Sequence, residues 1–107
     1  MNLLAEKTPK NHMTNDEHKN DFYKKGAIEK AIEAYRKIES QAVISSELYY
    51  NLGNCYYKLN NVGATIYNYE KALQLDPLNE DAANNLVFAK RLAIDRIEEV
   101  PKSVFQN

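Results

Sequence analysis

The chain has 107 residues, 44% of them hydrophobic and 27% charged, and its formal net charge is −1. This length suits one small domain. The balanced charge lacks the basic excess of proteins that bind nucleic acid or anionic membranes, so we expect neither partner. A single cysteine forms no internal disulfide and no tetrahedral thiolate metal site. No apolar run is long enough for a membrane span or a signal peptide, which favours the cytoplasm if the sequence is complete.

The first predicted helix runs from Thr14 to about Lys25. Its start has capping-box form, with Glu17 three residues after Thr14. Lys24, Lys25 and Gly26 are predicted to end it, because cations suit the negative end of a helix and glycine enters the left-handed region. A second helix follows from Ala27 to about Ser40, with apolar residues at helical spacing.

Three further helices are predicted, each with its own boundary signals. Ser45 or Ser46 caps the third, which reaches about Leu59 and stops at Asn60-Asn61, a pair that tolerates left-handed backbone. The fourth runs from Val62 to Leu75 and ends at Asp76-Pro77. The fifth starts after Asn79 and reaches about Glu98. No segment alternates with period two, so the predicted fold class is all-α.

The chain also repeats itself at an interval of 34 residues. Phe22 aligns with Tyr56 and Tyr35 aligns with Tyr69 (56 − 22 = 69 − 35 = 34). Self-similarity at a constant period indicates stacked, equivalent structural units. The pairs that are identical at this interval are Asn20/Asn54, Tyr23/Tyr57 and Lys24/Lys58.

Residues 46–79 resemble a tetratricopeptide repeat, in which two antiparallel helices carry the pattern W-x2-L-G-x2-Y, A-x3-F and P. Residues 12–45 resemble a degenerate copy, and residues 80–99 resemble the first helix of a third copy and are predicted to cap the array. Residues 1–11 and 100–107 are predicted tails. The resemblance implies a right-handed superhelix of two helix-turn-helix repeats plus a C-terminal capping helix. The pattern positions in residues 46–79 are held by Tyr49, Leu52, Gly53, Tyr56, Thr65, Tyr69, Ala72 and Pro77.

This pattern predicts how the helices pack. Gly53 and Ala72 should permit the close approach of neighbouring helices. The hydroxyl of Thr65 should bond back to the preceding turn. The side chains predicted to fill the space between helix pairs are Leu52, Tyr56, Ile66 and Tyr69.

The first helices of stacked pairs line a concave surface, where a ligand would bind. Amide side chains bond peptide groups and tyrosines offer rigid area, so this surface suits an extended or helical peptide. The alternative is that these positions are ordinary solvated ones. The predicted partner-binding residues are Asp16, Asn20, Tyr23, Lys24, Tyr50, Asn54, Tyr57, Lys58, Asn84, Phe88 and Arg91.

One subfamily of these repeats holds a C-terminal carboxylate in a clamp of asparagines and cations. Asn20 and Asn51 match its asparagine positions. Its cation positions hold Asp16, Asp81 and Asn85 instead, so charge-assisted bonds to a carboxylate are missing and a clamp is not expected.

Other reactive side chains are predicted to have structural roles. Cys55 is expected to pack inertly, because nothing adjacent would lower the pKa of its thiol. His12 and His18 lack a suitably spaced third metal ligand. Because no nucleophile–base pair or phosphate loop is present, we expect no cofactor and a non-catalytic function in binding another protein.

A second hypothesis is a structural unit that self-assembles into a homodimer in a cell-envelope complex. The runs LYYNLGNCYYKL and DRIEEVPKSVF also resemble the repeat region of bacterial Bat aerotolerance proteins. That resemblance implies a fragment of a periplasmic or inner-membrane-associated protein that does not itself contact the membrane. The predicted dimer contacts are Leu86, Phe88, Leu92, Ile94 and Ile97.

Overall fold

The computed structural model describes the backbone of residues 15–99 and the side chains of residues 23–98. Over this range it contains no strand, so the all-α prediction is confirmed. Each helix packs on the next along the chain, and α2 also touches α4. Both predicted tails lie outside the described residues. The helices are α1 (Asn15–Ser40), α2 (Ser46–Lys58), α3 (Val62–Leu75) and α4 (Glu80–Glu99).

The predicted break at Gly26 is wrong. α1 runs through this residue without interruption, and no described glycine has positive φ. A lone glycine costs a helix only about 1 kcal/mol, and good helix formers on both sides offset that cost. The left-handed residue that follows α1 is Ala42, with φ 64°. The helix-turn-helix predicted within residues 12–45 is therefore one helix over its described part.

The boundaries at Ser45, Asn60 and Asn79 are as predicted, whereas Asn61 was predicted only as part of the stop after α2 and also begins α3. The Ser45 side chain accepts a hydrogen bond from the backbone N–H of Leu48 at 3.1 Å and begins α2. Asn60 adopts left-handed backbone with φ 67°, as predicted. Asn61 caps α3, and Asn79 caps α4 by accepting from Ala82 N–H at 3.0 Å. Each cap satisfies a backbone donor that the first helical turn leaves unpaired.

Ser46 ties three elements together at one end of the bundle. Its hydroxyl donates to the carbonyl of Ala72 near the end of α3, at 2.8 Å, and accepts from Nδ2 of Asn79 at 2.8 Å. The start of α2 is thereby held against the end of α3 and the start of α4.

The core lies where α2, α3 and α4 meet. Leu52 and Tyr69 are buried as predicted, whereas Tyr56 and Ile66 are only half-buried. Thr65 Oγ1 donates to the carbonyl of Asn61 at 2.8 Å, which confirms the expected bond to the preceding turn. The fully buried hydrophobic residues are Leu48, Tyr49, Leu52, Tyr69, Ala72, Ala82, Leu86 and Ala89.

Gly53 sets the distance between α2 and α3. A Cβ added at Gly53 would lie 2.5 Å from two ring carbons of Tyr69. Such a distance is far inside van der Waals contact, so the tyrosine ring can approach the α2 backbone this closely only because residue 53 is glycine. The predicted role of Gly53 in close helix approach is confirmed.

A polar network joins the end of α1 to α2. The buried Tyr49 hydroxyl donates to Oε2 of Glu39 at 2.7 Å, and Arg36 donates to Oε1 of Glu39 at 2.9 Å. The Tyr49 hydrogen bond, followed by the one from Arg36, lowers the pKa of Glu39. The same bond and burial raise the pKa of Tyr49 to about 12. The core tyrosine therefore satisfies its hydroxyl across a helix interface.

Candidate functional site

A pocket opens between α2 and α4, with a volume of about 220 Å³. α2 contributes one face of its last turns, because residues three and four apart lie side by side on a helix. α4 contributes residues of its second turn, and α3 supplies a tyrosine at the base. The lining residues are Asn54, Tyr57, Lys58, Tyr69, Asn85 and Phe88.

The base of this pocket is a hydrogen-bonded cluster. The Tyr69 hydroxyl donates to Oδ1 of Asn54. Nδ2 of Asn85 donates to the same oxygen at 3.2 Å and lies 3.5 Å from the Tyr69 hydroxyl. Burial raises the pKa of Tyr69, which keeps this phenol a neutral donor at neutral pH. Two donors thus fix the orientation of the Asn54 amide.

The rim of the pocket is aromatic and exposed. Tyr57 is 51% exposed and Phe88 is 68% exposed. Lys58, at the end of α2, supplies the one charged side chain among the described lining residues. The pocket therefore combines apolar rings, oriented amides and one cation.

A second pocket lies on the other side of Asn54, between α1 and α2, with a volume of about 330 Å³. Asn54 and Lys58 line both pockets, so they form a ridge between them. The remaining lining residues of this α1–α2 pocket are Ala27, Ile28, Ala31, Tyr35, Asn51 and Cys55.

The structure brings together four of the predicted partner-binding residues. Tyr50 does not line the α2–α4 pocket: it is half-buried, with its ring centroid 5.9 Å from that of Tyr69, and it lines a third pocket beside Asn51 and Asn79. The four that share the α2–α4 pocket are Asn54, Tyr57, Lys58 and Phe88.

The other predicted residues do not line either pocket. Tyr23 and Lys24 are exposed on α1, and Asn84 and Arg91 are exposed on α4. The side chains of the last two predicted residues, Asp16 and Asn20, lie outside the described residues.

Two residues of the pocket were missed as binding residues. Tyr69 was assigned to the core, although its hydroxyl reaches the pocket base. Asn85, rather than Asn84, faces Asn54, because Asn85 shares a side of α4 with Ala89, four residues further on, which packs toward Tyr69. The 34-residue interval contained this signal, since it aligns Asn85 with Asn51 (85 − 51 = 34).

The residues set aside in the sequence have the following positions. Cys55 is half-buried at the α1–α2 pocket rather than in the core, and burial raises the pKa of its thiol. His12 and His18 lie outside the described side chains. Asp81, at a predicted clamp position, lines the third pocket, whose described lining contains four acidic and no basic residues.

The paired helices α2 and α3, extended by α4, define a helical-repeat protein. The family model of the tetratricopeptide repeat matches residues 46–79, the segment that forms α2 and α3. The match supports a tetratricopeptide-repeat protein, although it covers less than half of the chain. No curated protein matches the chain, and the comparisons do not support the resemblance to Bat proteins. Within the described residues, no helix is both long and apolar enough to cross a bilayer.

Proposed function

We propose that this protein is a non-catalytic interaction module that binds a peptide or protein segment along α2 and α4. Tetratricopeptide repeats generally mediate contacts between proteins. The observation that carries the proposal is the α2–α4 pocket, where the exposed rings of Tyr57 and Phe88 stand over the fixed amides of Asn54 and Asn85.

The chemistry of this pocket suits one apolar side chain of a bound peptide. Aromatic rings supply rigid contact area at little entropic cost, and amides bond both N–H and C=O groups of a backbone. Lys58 favours an acidic group beside that side chain. Asn54 also lines the α1–α2 pocket, so a peptide crossing α2 would reach both pockets.

Peptides selected from a random display library against the wild-type protein provide the test. Tyr57→Ala should weaken their binding by about 1–3 kcal/mol, because exposed aromatic anchors dominate such interfaces. Asn54→Ala should weaken binding as well. It should also destabilise the fold, since Asn54 accepts the Tyr69 hydroxyl.

The matched control is Tyr67→Ala. Tyr67 is 57% exposed, close to Tyr57, but it lies on α3 away from the α2–α4 pocket. Titration calorimetry should show full affinity for this variant. If Tyr57→Ala and Tyr67→Ala bind the selected peptides equally well, the proposal that the α2–α4 pocket binds a peptide is wrong.

A second candidate function is the structural self-assembly unit, by homodimerisation through α4. One observation favours it: the aliphatic side chains of Ile94 and Ile97 on α4 are each more than half exposed. Of the other predicted contacts, Leu86 is buried beside Tyr69 and is not available to a second copy, whereas Phe88 is 68% exposed at the α2–α4 pocket. Leu92 is half-buried. Placement of this unit in a cell-envelope complex of the Bat type stays a prediction.

A further inference from the structure

α4 exposes a largely apolar stripe that borders α3, where Nζ of Lys90 lies 3.5 Å from Oε2 of Glu70. Val87, Ile94 and Ile97 are 64%, 52% and 57% exposed. With Lys90 between them they follow spacings of three, four and three residues, which place them in one line along the helix. We call Val87, Lys90, Ile94 and Ile97 the outer stripe. It is distinct from Leu86 and Ala89, which pack toward Tyr69, and from Phe88 in the α2–α4 pocket.

The outer stripe lies where a further repeat would place its second helix. The 34-residue interval aligns Val87 with Gly53 (87 − 53 = 34), the residue of α2 that faces its partner helix α3. At Gly53 even one added carbon would lie 2.5 Å from the Tyr69 ring. Valine at the equivalent position of α4 therefore excludes a helix packed as α3 is packed, with an aromatic ring against the backbone.

The stripe instead has the form of a coiled-coil seam. Aliphatic side chains at heptad spacing pack against a second helix at an ordinary interhelical distance. Such packing needs no glycine. The occupant is thus a helix with aliphatic residues at the same spacing, which α4 of a second molecule supplies.

The charges beside the stripe match a second copy in one orientation only. Arg91 and Glu98 are exposed and stand seven residues apart, on the same flank of the stripe. In a parallel pair the Arg91–Glu98 flanks of the two molecules lie on opposite sides of the seam, so neither residue meets an opposite charge. In an antiparallel pair centred near Ile94, Arg91 of one molecule faces Glu98 of the other, and the contact occurs twice because a two-fold interface is self-complementary.

We propose that the outer stripe of α4 is a self-association surface, on which α4 of a second copy docks antiparallel. This inference rests on the second candidate function and is independent of peptide binding at the α2–α4 pocket. The apolar contact is a single pair of helices, smaller than a standard interface, so the dimer is reversible and depends on concentration.

Sedimentation equilibrium of the full chain over a range of concentrations tests the proposal. The wild type should shift from monomer toward dimer as concentration rises. Ile94→Asp should weaken dimerisation at least about tenfold, since it buries a charge in the seam. Ile94 is exposed in the monomer, so circular dichroism should show an intact fold. A wild-type mass that stays monomeric at every concentration overturns the proposal.

Charge reversal tests the orientation. Arg91→Glu and Glu98→Arg should each weaken the dimer about tenfold, because each creates two like-charge contacts. The double variant should regain wild-type affinity, and an equimolar mixture of the two single variants should form a heterodimer. Lys37→Glu, on an exposed position of α1, is the control and should leave the mass unchanged. No rescue in either experiment overturns the antiparallel arrangement.

Separate variants test self-association through the outer stripe and peptide binding at the α2–α4 pocket, so the failure of one proposal can be told from the failure of the other. Tyr57→Ala leaves the outer stripe intact and should dimerise as the wild type does. Ile94→Asp leaves the α2–α4 pocket intact and should bind the selected peptides with wild-type affinity. If either substitution abolished both dimerisation and peptide binding, the two surfaces would not be independent.

Discussion

Gly53 is the residue whose replacement tests the packing of α2 on α3 most directly. Gly53→Ala should destabilise the protein by about 1–3 kcal/mol, because the Tyr69 ring is buried and hydrogen-bonded and cannot move aside. Urea unfolding measures the change. Gly63→Ala is the matched control: nothing lies closer than 4.0 Å to its added Cβ, so better helix propensity should leave stability unchanged or raised. Equal effects of the two substitutions would contradict the close approach.

The Glu39 carboxylate makes the free energy of unfolding depend on pH. Its pKa is lowered in the folded state, first by the Tyr49 hydroxyl and then by Arg36. The resulting stabilisation is present above the ordinary value of 4.5 and is lost as pH falls through the folded pKa. Tyr49→Phe should therefore cost about 1–2 kcal/mol near neutral pH. The difference in unfolding free energy between the wild type and Tyr49→Phe should become smaller as Glu39 is protonated at low pH.

Unfolding free energies of both proteins, measured from neutral pH down to about pH 3, check this dependence. The raised pKa of Tyr49, about 12, keeps its hydroxyl protonated throughout that range. A difference between wild type and Tyr49→Phe that is constant across the range would show that Glu39 is not coupled to Tyr49.

At the scale of the element, α1 provides the clearest test. Because α1 continues through Gly26 and leaves open space around it, Gly26→Ala should stabilise the protein by about 0.5–1 kcal/mol. Thermal unfolding followed by circular dichroism measures this. If the helix ended at Gly26 in left-handed backbone, Gly26→Ala would instead destabilise the protein, because alanine is strained in that conformation.

Ala42 is the complementary position, since it holds the left-handed backbone after α1. Ala42→Gly should raise the unfolding free energy by roughly 0.5–1 kcal/mol, since glycine adopts this conformation without strain. Gains at both positions are expected. A loss at Gly26 together with a gain at Ala42 would mean that the chain has two breaks rather than one.

At the scale of the whole molecule, stability is concentrated in α2 and α3. These helices hold the buried residues Tyr49, Leu52 and Tyr69, whereas none of the described side chains of α1 is fully buried. Amide hydrogen exchange should therefore be slowest in residues 46–75 and faster in residues 23–40. Mass spectrometry of proteolytic fragments measures both. Exchange in α1 as slow as in α2 would contradict this gradient.

Sequence reasoning succeeded where a boundary or contact depends on nearby residues. The caps at Ser45 and Asn79 act within three residues of the helices they begin, so local composition predicts them. The repeat pattern likewise predicted that Gly53 permits close helix approach, and the structure identifies the group that approaches it as the Tyr69 ring. The helix end predicted at Gly26 was wrong, because the helix-forming residues on both sides outweigh the local stop signal.

The amino-acid sequence by itself determined the helical repeat of residues 46–79, the caps at Ser45 and Asn79 and the burial of Leu52 and Tyr69, since these depend on short-range chemistry and periodic spacing. The tertiary structure alone decided which side of α4 faces which neighbour. Ala82 and Ala89 let α4 pack closely, and the resulting rotation places Asn85 against Asn54 and leaves Val87, Ile94 and Ile97 uncovered. Helical periodicity defines the faces of a helix, but only contact with neighbouring helices decides how those faces are oriented.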